Sequence, residues 1–317
     1  MSEPAPLPTF LLVGTAKAGT TALIGQVARH PGVFTPRIKE PMYFALRGST
    51  ARFRGPGDGR VNGYAVTDPA AYGALFHGSG GARARGEAST WYLYSPEAPA
   101  RIREEIPGCR IVGVLRDPAE RAWSAFLHMR GDGREPEAEF AAALAREEER
   151  ARDGWAWIWR YRGMGFYAAQ VRRYRDCFPP EQLLWILYED WVRDPRGVRE
   201  SVFRHIGVDP GFDPGPAERV NASGIPRSRS LHRLLQEPSA LRTAARALLP
   251  DGIRKGIVGM VRRANFPRPD PPAAAMAELR GSFAEDVREL STLLGRDLSA
   301  WLPAGGAVGG GGGRGGP

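Results

Sequence analysis

The stretch TFLLVGTAKAGTTALIGQVA (residues 9–28) decides how the rest of the chain is read. It opens with an unbroken apolar run, Phe10 to Val13, the pattern of a strand buried on both faces. Leu23, Ile24, Val27 and Ala28 then recur at helical spacing. Between strand and helix lies the loop Gly14-Thr15-Ala16-Lys17-Ala18-Gly19-Thr20-Thr21. A loop in that position aims backbone N–H groups and the positive end of the helix dipole at one point, which suits an anion. The glycine spacing matches the triphosphatase loop G-x-x-x-x-G-K-[ST], but Thr20 stands where the lysine belongs. The lysine lies three residues earlier, at position 17. Glycine and threonine alone would make an ordinary turn. Strand, loop, lysine, paired threonines and amphipathic helix together point to phosphate binding.

Outward from this loop, further apolar runs alternate with helical patterns. ARGEAS (84–89), RIVGVL (110–115) and LLWIL (183–187) read as strands, and 163–177 and 276–294 as helices. The last helix carries the stripe Leu279, Phe283, Val287, Leu290 and Leu294. Asp117-Pro118-Ala119-Glu120 opens another helix, with aspartate at the cap, proline at the first helical position and glutamate at the third. Apolar strands alternating with helices predict an α/β fold, a central parallel sheet flanked by helices on both faces. Residues 47–65 read as a long surface loop. One domain spans 8–302, and the glycine-rich 303–317 reads as a disordered tail.

Composition narrows the function. The net charge of +9 favours anionic partners, but the 44 basic residues are interleaved with 35 acidic ones and no nucleic-acid motif is recognisable. A small, highly charged anion suits this pattern better than nucleic acid. Only Lys17, Lys39 and Lys255 escape the arginine bias, which draws attention to Lys17. Cys109 and Cys177 form neither a disulfide framework nor a metal-ligand spacing and read as buried small hydrophobes. The N-terminus lacks a basic signal region, and the first apolar run is too short for a membrane span, so the expectation is a soluble, cytoplasmic protein.

A second anion site is suggested by Arg116 and Ser124. Arg116 follows the 110–115 strand, and Ser124 lies seven residues beyond the Asp117 cap, close to two helical turns. An arginine fork and a serine hydroxyl suit phosphate. In isolation they would be an ordinary salt bridge and a solvated serine. Beside a phosphate loop, they describe the second of two phosphate sites, as on a nucleotide phosphorylated at both its 5′ and 3′ positions.

G-x-x-K-x-G-T-T-x-L (14–23) with L-R-D-P-x-E-R-A-x-S-x-F (115–126) resembles the sulfotransferases that use 3′-phosphoadenosine 5′-phosphosulfate (PAPS), closest to their heparan-sulfate-type and bacterial branch. H-P-G-V-F (30–34), K-E-P-x-Y-F (39–44), G-E-A-S-T-W-Y (86–92), Y-E-D (188–190) and N-A-S-G-I-P-R-S-R (221–229) extend the resemblance over 8–302. It implies a three-layer, P-loop-like fold, PAPS as co-substrate and no metal. It places the 5′-phosphosulfate on Lys17, Ala18, Gly19, Thr20 and Thr21, and the 3′-phosphate on Arg116 and Ser124. It makes Glu40 the base, with Lys17 stabilising charge on the bridging oxygen. Arg227 and Arg229 would close over the 3′-phosphate, and Thr90 and Trp91 would line the adenine pocket. Ala88 departs from the lysine that many relatives carry after the glutamate of G-E-K-[ST], so acceptor contacts of that lysine do not transfer.

Several readings stay open on sequence. Without the resemblance, Glu40 would be a surface carboxylate paired with Lys39 or Arg37. His128, one turn beyond Ser124, is the alternative base. Trp155, Trp157, Trp159, Tyr161 and Phe166 form either an aromatic acceptor wall or a core segment. Arg146 to Arg152 reads as a solvated helix face. The acceptor, whether carbohydrate, lipid or secondary metabolite, and the oligomeric state are not encoded in any recognisable pattern. A degenerate ATPase and a non-catalytic anion binder are the competing functions.

Overall fold

The computed structural model describes residues 6–50, 52–216 and 269–303. Among these residues, five parallel strands form one sheet: β1 (Phe10–Gly14), β2 (Val33–Phe34), β3 (Ala84–Ala88), β4 (Arg110–Leu115) and β5 (Leu183–Leu187), in the order β2-β3-β1-β4-β5. The four longer strands are those read from the sequence. β1 is central, with Leu11 opposite both Glu87 of β3 and Ile111 of β4.

Side-chain alternation along the strands divides the interior into two cores. Phe10 and Leu12 of β1, with Val112 and Val114 of β4, face α1 (Thr20–Val27) and two later helices, α11 (Tyr188–Arg193) and α12 (Pro195–Ile206). Leu11, Val13, Ile111 and Leu115 face the larger layer. That layer contains α2 (Tyr43–Leu46), α3 (Gly59–Tyr64), α4 (Pro69–Ala74), α5 (Trp91–Tyr94), α6 (Ala98–Glu105), α7 (Pro118–Gly131), α8 (Phe140–Ala145), α9 (Glu147–Arg152) and α10 (Tyr167–Cys177). The last α-helix of the described residues, α13 (Ala273–Leu294), closes it. Helix, sheet and helix make the three-layer α/β fold that the strand–helix alternation predicts.

α13 shows how sequence signals fix a layer. Leu279, Phe283, Val287 and Leu290 are buried along one stripe, each contributing about 1.5–3 kcal/mol by leaving water. Polar contacts set its register. Arg280 reaches Asp117 Oδ2 at 2.9 Å, and the Asp286 carboxylate accepts from the Tyr167 and Ala168 backbone N–H groups that begin α10. The α10 region differs from the expected continuous 163–177 helix. A 3₁₀ turn over Gly163–Gly165 precedes it, and Phe166 at φ −78°, ψ 87° separates the two.

Two further expectations are corrected. Residues 47–65 are not a surface loop throughout, because Asp58 is wholly buried and α3 packs Val61 inward. Asp58 accepts from the backbone N–H of Gly55 (2.9 Å) and Ala156 (2.8 Å), from Trp159 Nε1 (3.0 Å) and from Arg134. Nor is Arg146 to Arg152 a solvated face. Arg150 is buried and forks onto Glu135 at 2.9 and 2.6 Å, while Glu147 accepts from the N–H groups of Arg162 and Gly163. Cys109 is buried as expected, whereas Cys177 is only partly so. Arg227, Arg229 and Lys255, with all of the tail but Pro303, lie outside the described residues.

Candidate active site

In a parallel sheet, segments leaving adjacent strands at their carboxyl ends meet over one edge, where such folds bind ligands. Here four strand ends converge: β1 supplies the phosphate loop, β3 leads to Thr90 and Trp91, β4 to Arg116, and β5 to Tyr188. They frame a cleft of about 630 Å³ lined by Lys17, Gly19, Thr20, Thr21, Lys39, Glu40, Thr90, Trp91, Arg116 and Ser124, among others. Ala18 is fully buried beneath the loop, packed with Leu23 and Val27.

The loop's geometry depends on its glycines. Gly19 caps α1 at φ 83°, and a side chain there would meet the Tyr188 ring at 3.2 Å and Trp191 at 3.3 Å. A bare backbone therefore fits closely against the β5 exit, leaving the N-terminal N–H groups of α1 directed at the cleft. Lys17 also has a positive φ, 71°. Its ammonium is depressed from the ordinary 10.5 to about 8, chiefly by burial; Asp132 opposes the shift, and Arg116 and Lys39 add to it. An anion entering the cleft would relieve that penalty.

Arg116 is positioned rather than merely present. Its guanidinium donates to the Lys17 carbonyl at 3.1 Å, contacts Glu120 at 3.4 Å and lies 4.7 Å from the centroid of the Tyr188 ring. These contacts tie the β4 exit to the phosphate loop. Asp117 caps α7 through the N–H groups of Ala119 (2.9 Å) and Glu120 (3.1 Å), as the sequence predicts. The reciprocal half of a capping box is not made by Glu120. Its carboxylate turns to Arg116, and the Asp117 N–H donates to Glu189 at 3.3 Å instead.

Glu40 lines the same cleft. Its carboxylate accepts from Thr90 Oγ1 at 3.0 Å and lies 3.4 Å from Lys39 Nζ, which also donates to Thr21 Oγ1 at 2.6 Å. The pairing with Lys39 and the position in the cleft coexist. His128 lines the same cleft, but burial and the charge of Lys17 hold its imidazolium down to about 4, against the pull of Asp132. It is neutral at neutral pH and weakly basic.

The aromatic run 155–166 is packed at Trp159 and Tyr161 and more open at its other members. Trp159 and Tyr161 are buried, Trp155 and Trp157 pack on the core, and Phe166 sits edge-on to Phe283. From that run the cleft takes Ile158. Sequence reasoning missed the wall formed by Val61, Tyr64, Met129 and Arg134. The signal available was Asp58, an acidic residue three positions before Val61 whose buried carboxylate fixes both Arg134 and the α3 segment.

A model of the sulfotransferase family matches residues 8–214, nearly two thirds of the chain. This chain belongs to the sulfotransferase family. It has the α/β fold of that family, and the solved sulfotransferase from Alicyclobacillus acidocaldarius is similar to it. That structure superposes with a TM-score of 0.72 at 34% identity, covering 93% of this chain and 99% of that one. The human bifunctional heparan sulfate N-deacetylase/N-sulfotransferase 3 is 30% identical over 218 residues, 65% of this chain and 23% of that protein. The Drosophila melanogaster bifunctional heparan sulfate N-deacetylase/N-sulfotransferase is 26% identical over 213 residues, 65% of this chain and 20% of that protein. This sulfotransferase thus spans less than a quarter of the length of those curated relatives. Among its described residues no helix is long and apolar enough to cross a membrane, and no cluster of His, Cys, Asp or Glu has the form of a metal site.

Proposed function

We propose that this sulfotransferase moves the sulfuryl group of PAPS to a hydroxyl or amine of an acceptor molecule. One observation carries the reading: the phosphate loop with Lys17, the Arg116–Ser124 pair and the Glu40 carboxylate all line a single cleft. A donor with phosphate at two separate positions matches two cationic subsites on neighbouring strand ends. In this reading the 5′-phosphosulfate lies on Lys17, Gly19, Thr20 and Thr21, and the 3′-phosphate lies against Arg116 and Ser124.

The chemistry is an in-line displacement at sulfur. The acceptor oxygen or nitrogen forms a bond to sulfur as the bond from sulfur to the bridging oxygen breaks, and that electron pair remains on the phosphate. Glu40 takes the acceptor's proton. Lys17, in its protonated form, neutralises charge growing on the bridging oxygen, a task favoured where burial weakens screening. Burial and the charge of Lys17 lower the proton affinity of His128 below that of an ordinary imidazole, which removes its usual advantage as a base.

A magnesium-dependent ATPase fits less well. The residue following β4 is Arg116, and the adjoining Asp117 has both oxygens engaged, by the α7 N-terminus and by Arg280. The test is transfer of labelled sulfate from PAPS to a panel of phenols, alcohols, amines and de-sulfated glycosaminoglycan oligosaccharides. Label moving to an acceptor in step with release of adenosine 3′,5′-bisphosphate is the expected result. ATP hydrolysis with no PAPS consumption would overturn the reading.

A further inference from the structure

Near its carboxyl end, β3 carries a carboxylate, Glu87, to which the proposed chemistry gives no role. Glu87 is 2% exposed, one strand away from the phosphate loop. Three hydroxyls donate to it: Tyr92 Oη at 2.7 Å and Tyr72 Oη at 3.1 Å to Oε1, and Ser89 Oγ at 2.9 Å to Oε2. A hydroxyl has one proton to give, so Ser89 bonded to Glu87 presents a lone pair elsewhere. That lone pair accepts the Met42 backbone N–H at 3.0 Å. Glu87 therefore fixes the direction of a two-step chain, from Met42 N–H to Ser89 and from Ser89 to Glu87.

Met42 stands two residues after Glu40, and the backbone there is strained. Glu40 has φ 59° and Met42 φ 60°, left-handed values that side chains other than glycine adopt rarely and at an energetic cost. Such strain persists where surrounding contacts over-determine it. The contacts here are specific. Ser89 holds the Met42 backbone, and its neighbour Thr90 holds the Glu40 carboxylate at 3.0 Å. Beyond Met42, the Tyr43 ring stacks at 4.2 Å on Tyr72, itself a Glu87 donor, so the segment is gripped from both ends.

We infer that Glu87 and Ser89 are positioning residues for Glu40: the chain Glu87–Ser89–Met42 locks the strained 40–42 backbone and keeps the Glu40 carboxylate in the cleft beside Thr90. The inference rests on the reading of Glu40 as the base.

The experiment compares Ser89→Ala, Ser89→Thr, Glu40→Gln and the Ser89→Ala/Glu40→Gln double variant in the full chain. Two quantities are read: affinity for adenosine 3′,5′-bisphosphate, and PAPS turnover at excess enzyme with water and 4-nitrophenol as probe acceptors. Ser89→Ala is expected to slow turnover by about tenfold to a hundredfold, as small misplacements of a reacting group do, with bisphosphate affinity within about twofold of wild type. Ser89→Thr, which keeps the hydroxyl, restores most of the rate. On the Glu40→Gln background, Ser89→Ala costs less than about twofold more, because residues acting through one another are not additive. Equal losses on both backgrounds, or wild-type turnover in Ser89→Ala, overturn the inference while leaving the donor site untouched. Full activity in Glu40→Gln overturns the base assignment and the inference with it, absent PAPS turnover in the wild type overturns the transfer chemistry and the inference that rests on it, and absent bisphosphate binding in the wild type overturns the donor reading itself. Should Ser89→Ala fail to fold, Glu87→Gln runs the same comparison from the other end of the chain.

Discussion

Donor binding should take up a proton at Lys17, and the size of the effect follows from the cleft. Burial and the neighbouring cations hold the Lys17 ammonium at about 8, against an ordinary 10.5. An anion bound against it cancels that penalty and returns the group to a value above the working range. Linkage then requires uptake of about a quarter of a proton at pH 7.5 and about three quarters at pH 8.5. The same relation weakens adenosine 3′,5′-bisphosphate binding about 25-fold between pH 7.5 and 9.5. Above pH 7.5 the ligand's own phosphates are almost fully ionised, so their titration adds little. Burial pushes Tyr72, Tyr92, Tyr167 and the Cys109 thiol upwards, away from the lower part of this window. Calorimetry in buffers of different ionisation enthalpy measures the uptake directly. Lys17→Met should bind more weakly at pH 7.5 and show no uptake at pH 8.5. An affinity flat between pH 7.5 and 9.5 in the wild type, with no proton exchanged, would refute the placement of the donor on Lys17.

Three further outcomes follow from other parts of the structure. Glu87 is pushed from 4.5 up to about 7 by burial, so the folded chain binds more protons there than the unfolded chain across that window. Its ionisation therefore costs stability as pH rises from about 4.5 to 7, and Glu87→Gln should gain on wild type by roughly 3 kcal/mol between pH 5 and 8. Urea titrations at both pH values check it, and a pH-independent difference would contradict it. Asp58→Ala strands Arg134, Trp159 Nε1 and two backbone N–H groups, and should destabilise the fold by about 3–5 kcal/mol, read as a lower denaturation midpoint. Gly19→Ala adds a methyl group within 3.2 Å of Tyr188 at φ 83°, and should weaken bisphosphate binding by tenfold or more while the chain still folds.

Much of the phosphate-loop side of the cleft was legible because its signals are local. A buried strand, a glycine loop and a capped helix are each written within a dozen residues; β1, β4 and β5 form where their apolar runs lie, and β3 forms on the mixed stretch ARGEA. Lys17, Thr20, Thr21, Arg116, Ser124 and Glu40 then share one cleft because strand ends in a parallel sheet share one edge. What was not legible depends on distant partners. Arg150 looks like one charge among many until Glu135, fifteen residues away, meets it in the interior. Asp58 sits in a glycine- and arginine-rich stretch whose polarity suggests solvent, yet Arg134 and the 155–159 segment fold over it. The aromatic run divides for the same reason, since burial of Trp159 and Tyr161 is decided by what packs around them, while Phe166 stays exposed. The role of Ser89 is equally non-local: its partner Met42 is 47 residues away.

The central claim is that the cleft recognises a nucleotide phosphorylated at both 5′ and 3′ positions. Calorimetric titration with adenosine 3′,5′-bisphosphate, beside 5′-AMP and Mg–ATP, on wild type and Arg116→Ala, tests it most directly. The account predicts saturable one-site binding of the bisphosphate, at least tenfold tighter than 5′-AMP, with that advantage lost in Arg116→Ala. Equal affinity for 5′-AMP and the bisphosphate, or tight binding of Mg–ATP alone, would contradict it.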